Sequence, residues 1–311
     1  MKTTTRLRAL FEAPEILVMP GAHDALSAKL VERAGFDAVI MGGFPVTGSL
    51  LAAPDSSQLS LSEMADHFRR VSGAISIPLF VDGDTGFGNV TNVRRTTVEY
   101  ERAGVSGFFI EDQLFPKRCG HTPGKAVVPV AEMVAKIKAA TDARIDHDLV
   151  IMARTDALAV EGLEAAIERA WLYREAGADV LFVEAPTSVD EMRSIINELG
   201  GLHMANMIDF GMSPDLDAAQ LQELGYASAV WGLSSIFTMT RALMDLYAQI
   251  RSDGTSANAR DRMVSFDAFT DIVGLPELRQ SEQEDLDFAR SLINARKSGS
   301  DPHQTKVRSK P

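Results

Sequence analysis

Asp82 and Asp84 are separated by one residue, so on an extended strand both carboxylates point to the same face. Carboxylates in this arrangement, with no His or Cys grouped beside them, suit a hard cation such as Mg2+ or Mn2+, held partly through water. Four further segments carry chemistry-bearing side chains: Glu111-Asp112-Gln113, Arg154-Thr155-Asp156, Glu184 and Asn206. A fifth, Pro116-Lys117-Arg118-Cys119-Gly120-His121, sets the only thiol of the chain between cations and a histidine. Those surroundings are expected to favour the thiolate. A lone cysteine is usually an inert apolar residue, but in a polar, glycine-containing loop a chemical role is the better reading. No His-x3-His or Cys-x2-Cys spacing occurs, so structural zinc is not supported.

These residues need elements that bring them to one place. Eight short apolar runs recur along the chain: Ile16–Met19, Ala38–Met41, Leu79–Val81, Gly107–Ile110, Leu149–Ala153, Val180–Val183, Leu202–Ala205 and Ala227–Trp231. They do not alternate polar with apolar, which is how strands buried on both faces of a parallel sheet read. Amphipathic stretches lie between them, for instance Leu26–Ala34, Val93–Ala103, Glu132–Ala140, Leu163–Ala176 and Asp217–Leu224. Several close on Ala-Gly or Leu-Gly, a helix stop, before the next apolar run. Eight such units predict an α/β fold, a (β/α)8 TIM barrel, rather than a doubly wound open sheet with its Gly-rich phosphate turn. In a barrel the site lies at the C-terminal ends of the strands, and five consecutive runs, the third to the seventh, deliver an acid, an arginine or an amide there. Residues 1–295 read as one barrel domain with extra C-terminal helices, among them Phe266–Val273 and Glu284–Ile293. Residues 296–311 read as a basic, disordered tail.

The ordered motifs Asp-Gly-Asp-Thr-Gly-Phe-Gly-Asn (82–89), Glu-Asp-Gln (111–113), Lys-Arg-Cys-Gly-His (117–121), Ala-Arg-Thr-Asp-Ala (153–157), Val-Glu-Ala-Pro (183–186) and Ala-Asn-Met (205–207) carry a resemblance. From about Leu7 to at least Gly254 the chain resembles the isocitrate lyase / phosphoenolpyruvate mutase superfamily, on the side of its short-chain lyases for 2-methylisocitrate and 2,3-dimethylmalate and of the petal death protein type. The resemblance implies a Mg2+-dependent carbon–carbon lyase acting on a small 2-hydroxy di- or tricarboxylate and releasing a 2-oxo acid such as pyruvate. It implies that Asp82 and Asp84 hold the metal, with Glu111 and Asp55 reaching it through water. It implies that Gly42 and Gly43 offer N–H groups to a substrate carboxylate. It implies that Phe44, Lys117, Gly120, His121, Arg154, Glu184 and Asn206 complete the substrate site. Cys119 is the implied general acid on a mobile loop, and Arg154, Glu184 and His121 act with it. A homotetramer, a dimer of dimers exchanging a C-terminal helix, is also implied.

The chain departs from that pattern where methylisocitrate lyases carry Ser-Gly-Gly, having Met41-Gly42-Gly43, and where they carry Pro, having Gly232. Both positions bear on the substituent of the substrate. The alternatives on the same scaffold are a carboxyphosphonoenolpyruvate-type phosphonomutase and an oxaloacetate hydrolase or decarboxylase. A Schiff-base aldolase is disfavoured because no run ends in lysine. A non-catalytic scaffold would have lost Cys119 or the acidic pair, and both are present. A formal net charge of −12 argues against a nucleic-acid partner. No run approaches the roughly 20 apolar residues of a membrane span. One cysteine allows no internal disulfide, and a cytoplasmic location is expected.

Overall fold

The structure, a computed structural model, describes residues 1–122 and 124–297. It divides into two compact units, Met1–Asp245 and the helical segment from Leu246 onward. In the first unit a short helix α1 (Thr3–Phe11) precedes eight strands: β1 (Leu17–Pro20), β2 (Val39–Met41), β3 (Leu79–Asp82), β4 (Gly107–Glu111), β5 (Val150–Thr155), β6 (Val180–Val183), β7 (Met204–Asn206) and β8 (Ser228–Trp231). The connections carry α2 (Ala25–Arg33), α3 (Gly43–Leu51), α4 (Leu61–Ser72), α5 (Val90–Arg102), α6 (Val130–Ala143), α7 (Leu158–Glu161), α8 (Leu163–Glu175), α9 (Val189–Leu199) and α10 (Ala218–Leu224).

All strand pairs are parallel, in the orders β2-β3-β4-β5-β6 and β1-β8-β7. Single bridges, Gly21 to Ile40 and Leu181 to His203, join the two ladders and close the barrel. The expected eight strands are therefore all present, with ends shifted by one or two residues. Three of those shifts matter. Asp82, Glu111 and Arg154 are still in the ladder, with Asp82 opposite Phe109 and Glu111 opposite Arg154. Ending each run at its last apolar residue left these groups just outside strands that in fact hold them rigidly.

Two apolar layers build the unit. Inside the barrel, Met19, Ile40, Phe80, Phe109, Met152 and Phe182 fill the axis. The N-terminal end is stoppered by Leu7 and Phe11 of α1, the ring of Phe11 lying 6.0 Å from that of Phe80. Helix α1 was not anticipated, because its apolar face is only three residues of a short polar segment. The larger layer lies between sheet and helices and includes Tyr100, whose hydroxyl donates to the carbonyl of Asp82 at 3.0 Å. Six non-glycine residues take left-handed backbone angles: Ala52, Ser57, Asp84, Phe87, Ala185 and Phe210. All lie on connections that follow a strand's C-terminal end, where the site is.

The chain continues from β8 into α11 (Ser234–Asp253), followed by a 3-10 turn (Ala257–Arg262), α12 (Phe266–Ile272) and α13 (Leu275–Lys297). Helix α13 is longer than the expected Glu284–Ile293, since its first turns are polar and give no apolar stripe to read. Phe266, Phe269, Leu286, Phe288, Leu292 and Ile293 are exposed in this unit. Of the tail expected to be disordered, Arg296 and Lys297 end α13, and residues 298–311 lie outside the described residues.

One buried titratable group away from the site makes a stability prediction. His203, just before β7, is 1% exposed, donates from Nε2 to the carbonyl of Gly200 at 2.9 Å, and has its pKa held down to about 4 by burial. Above about pH 7.5 neither folded nor unfolded His203 is appreciably charged, so it contributes no pH dependence there. As pH falls from 6.5 toward 4, the unfolded chain binds a proton that the native chain refuses, and stability drops. Between pH 7.5 and 4.5 the parent should lose about 2–3 kcal/mol more than His203→Gln in denaturant unfolding. Equal losses in the two proteins would overturn the assignment.

Candidate active site

The loop after β3 turns back at once. The N–H of Gly83 donates to the carbonyl of Phe109 at 2.8 Å, and a side chain at 83 would meet that same carbonyl, so only glycine lets the two acids flank this contact. Asp82 Oδ1 accepts from the N–H of Asp84 at 2.8 Å, and Oδ2 accepts from the N–H of Gly43 at 2.8 Å. The donor at Gly43, expected to face a substrate carboxylate, is thus already engaged by Asp82. Asn89 then caps α5 by accepting from the N–H groups of Thr91 and Asn92, which fixes the far end of the loop.

The ammonium of Lys117 stands among these acids, 2.8 Å from Asp55 Oδ2, 2.9 Å from Asp84 Oδ1 and 3.9 Å from Asp82 Oδ2. It is buried, and against the opposing effect of burial the neighbouring carboxylates hold its pKa well above the usual lysine range, so it keeps its charge. Burial pushes Asp84 up to about 6 despite Lys117, and pushes Glu111 well above the carboxylate range despite Arg154. Glu111 is fully buried, and neither of its carboxylate oxygens accepts a hydrogen bond, although Arg154 Nε lies 3.3 Å from Oε2.

Arg154 is the second hub. Its Nε and Nη2 reach Asp156 at 2.9 and 3.1 Å, and Nη2 lies 3.2 Å from Glu184 Oε1. Its guanidinium also lies 5.1 Å from the ring centre of Phe182. Asn206 donates to Glu184 Oε2 at 3.3 Å. His121 Nε2 lies 3.5 Å from Glu184 Oε1, while His121 Nδ1 accepts from the N–H of Met212 at 3.0 Å, so the neutral ring carries its proton on Nε2. Burial keeps that ring neutral by lowering its pKa.

A cavity of about 60 Å3 joins these groups, lined by Asp55, Asp82, Arg154, Glu184 and Asn206 and by an apolar wall that includes Phe44, Pro45, Ile208 and Leu233. Gly42, Gly43, Lys117, Cys119, Gly120 and His121 also line it. The ring of Phe44 is seated edge-on against Phe237, with ring centres 6.1 Å apart. A side chain at Gly232 would meet open space, so this position leaves room at the apolar wall.

Cys119 is partly buried at the cavity, and burial pushes its thiol up, with Glu184 adding to the effect. This corrects the expectation of a thiolate. Lys117, expected as an activating cation, spends its charge on the aspartates instead, and the thiol keeps its proton at neutral pH. Gly120 approaches so closely that a side chain there would land on Glu184 and Arg154. Two residues that sequence reasoning did not assign complete the arrangement: Asp156, buried between Arg154 and Lys125, and Lys125 itself. Asp156 was visible in the Arg-Thr-Asp run, but Lys125 sits in a loop with no spacing signal.

Among the described residues, no three His, Cys, Asp or Glu side chains are drawn together tightly enough to hold a metal ion; Lys117 stands between them. The residues nonetheless fit a hard cation. Asp55, Asp82, Asp84, Glu111, Asp156 and Glu184 are six carboxylates against the three cations Lys117, Lys125 and Arg154. Every acidic donor is oxygen, and Glu111 offers two unclaimed ones.

A closed parallel barrel with this polar cluster at the C-terminal ends of β3 to β7 is the frame of an enzyme of the phosphoenolpyruvate mutase / isocitrate lyase superfamily. The chain belongs to the phosphoenolpyruvate phosphomutase family, whose model matches residues 7–251. It is 43% identical over 282 residues to the 2,3-dimethylmalate lyase of Eubacterium barkeri, covering 91% of this chain and 98% of that protein. The crystal structure of a 2,3-dimethylmalate lyase superposes with a TM-score of 0.87 at 34% identity, covering 92% of this chain and 96% of that one. A phosphonopyruvate hydrolase solved with oxalate and Mg2+ superposes with a TM-score of 0.83 at 32% identity, covering 92% and 100%.

Proposed function

We propose that the chain is a Mg2+-dependent carbon–carbon lyase that cleaves a 2-hydroxy di- or tricarboxylate of the 2-alkylmalate or 2-methylisocitrate type to a 2-oxo acid and a carboxylate. The observation that carries this reading is the placement of the chain's one thiol, Cys119, on the same small cavity as Arg154, Glu184, Asn206, Asp55 and Asp82. Likeness to lyases over nearly the whole chain supports it.

Asp82 and Asp84, with Glu111 and Asp55 behind them, would hold the cation, which supplies Lewis acidity that lowers the pKa of the substrate's 2-hydroxyl. Arg154 offsets negative charge arising on that oxygen. A carboxylate of the buried cluster takes the hydroxyl proton, the bond between C2 and C3 breaks as the 2-oxo group forms, and its electron pair enters the leaving carboxylate as an enediolate. Asn206 and the neutral His121 donate hydrogen bonds to substrate oxygens, a preorganised arrangement that needs no rearrangement as charge develops. Cys119 then gives its proton to carbon, and the apolar wall of Phe44, Pro45, Ile208 and Leu233 keeps water from competing. Gly232 leaves space on that wall for an alkyl substituent.

The exposed apolar side chains of α12 and α13 support a homotetramer in which C-terminal helices are exchanged between subunits, and the single cysteine fits a cytoplasmic enzyme. The test is 2-oxo acid release, coupled to lactate dehydrogenase with Mg2+, from 2-methylisocitrate, 2,3-dimethylmalate, other 2-alkylmalates and oxaloacetate. Pyruvate from one alkylated hydroxy acid is expected. A silent panel from folded, Mg2+-binding protein would overturn the lyase reading in favour of phosphonate substrates.

A further inference from the structure

Lys125 is a lysine of a polar loop, yet its side chain is only 2% exposed. Burying an ammonium is expensive unless it is paired, and ordering so long a side chain costs conformational entropy as well. Two partners offset this. Lys125 Nζ lies 2.9 Å from Asp156 Oδ1, and it donates to the carbonyl of Gly120.

Asp156 is a fixed anchor. Its N–H donates to Asp112 Oδ1 at 2.9 Å, and its carboxylate takes both hydrogen bonds of the Arg154 fork. Asp112 is itself clamped by Thr155 Oγ1 at 2.7 Å and by the Tyr173 hydroxyl at 2.8 Å. One carboxylate on the barrel therefore orients Arg154 and, through Lys125, grips the loop one residue beyond the thiol. On the other side of the thiol, Lys117 grips Asp55 and Asp84. Cys119 hangs between two buried lysines, and the carbonyl of Cys119 is further closed into a turn by Thr122, which donates from N at 2.9 Å and from Oγ1 at 2.7 Å.

We propose that Lys125 is a positioning residue: bridging Asp156 and the Gly120 carbonyl, it sets where Cys119 sits over the cavity and ties that position to the orientation of Arg154. The catalytic part of this inference rests on Cys119 being the proton donor of the proposed lyase. The positional part does not.

The two are separated by measuring thiol reactivity beside turnover. Cys119 is the only cysteine, so iodoacetamide uptake by the full-length protein reports that site alone. In Lys125→Met, alkylation of Cys119 at pH 8 is expected to rise about tenfold as the loop opens more often. Removing a nearby cation would by itself favour the thiol and slow alkylation, so acceleration reports position and not acidity. On the lyase substrate, kcat is expected to fall about a hundredfold with little change in KM, as for a misplaced reacting group. Lys125→Arg, which can still bridge carboxylate and carbonyl, should recover most of both properties. Lys125→Gln keeps a donor without the charge and serves if the methionine variant does not fold; it too should alkylate faster than the parent. Parent-like alkylation in a folded Lys125→Met or Lys125→Gln protein would overturn the proposal, whatever the turnover. Fast alkylation in a protein inactive on every substrate would keep the positional role and count only against the lyase reading.

Discussion

Cys119→Ala is expected to lower kcat by about 10²- to 10⁴-fold, the range for losing a positioned general acid. KM should change little, because the thiol is not among the groups that bind the carboxylates. Binding of Mg2+, followed by calorimetry, should be unaffected, since no metal-site carboxylate accepts from this thiol. Isotopic analysis gives a sharper reading. In deuterated water the parent should place one deuterium on the carboxylate product with a single configuration at the new C–H centre. The variant should leave protonation to solvent and lose that stereochemical preference. Retention of both rate and stereochemistry by Cys119→Ala would remove the thiol from the mechanism. Cys119→Ser should behave like the alanine variant, because an alcohol is a far weaker acid than even a buried thiol whose pKa is raised.

Arg154→Met should be the most damaging substitution to the fold as well as to the reaction. The guanidinium touches Glu111, Asp156 and Glu184, all at most 1% exposed, and replacing it with a thioether leaves three buried carboxylates short of their shared cation. Breaking a buried ion pair from one side typically costs about 3–5 kcal/mol. The cost should be pH dependent in a defined sense. Burial already raises Glu111, and without Arg154 it rises further. Such a group is protonated in the native state at a pH where it is ionised in the unfolded chain, so its protonation relieves the native state as pH falls. The stability deficit of Arg154→Met should therefore be largest above neutrality and shrink toward pH 5. A deficit independent of pH would mean that packing against Phe182, not charge, is what Arg154 contributes. Arg154→Lys should recover less than half of the loss, because one ammonium cannot reproduce the fork onto Asp156 while also reaching Glu184.

Much of the barrel was legible because parallel strands buried on both faces announce themselves as unbroken apolar runs, and helices ended by Ala-Gly mark the return to each strand. The site's polar strand ends were legible for the same reason, since Asp82, Glu111, Arg154, Glu184 and Asn206 interrupt runs that are otherwise apolar. What could not be read was which partner each charge would choose. Lys117 looked like a substrate ligand and an activator of its neighbour Cys119, but a four-carbon stem lets it reach across to Asp55 and Asp84. Gly43 looked like a free N–H donor, yet Asp82 claims it. Lys125 carried no signal at all, because burial of a loop lysine is decided by the fold of distant segments. Helix α1 was missed because three apolar residues become a plug only once there is a barrel mouth to fill.

The six left-handed non-glycine residues gather on a single pole of the barrel, and each costs about 1–3 kcal/mol relative to a relaxed backbone. Rigidity and strain are therefore divided by geography: the α1 pole is free to be optimised for endurance, while the other is held in a tensed shape by its neighbours. A programme of thermal hardening would find its harmless gains among surface positions near α1. At Asp84, by contrast, glycine would relax the chain and erase a carboxylate in the same stroke, so durability and chemistry are in direct competition there.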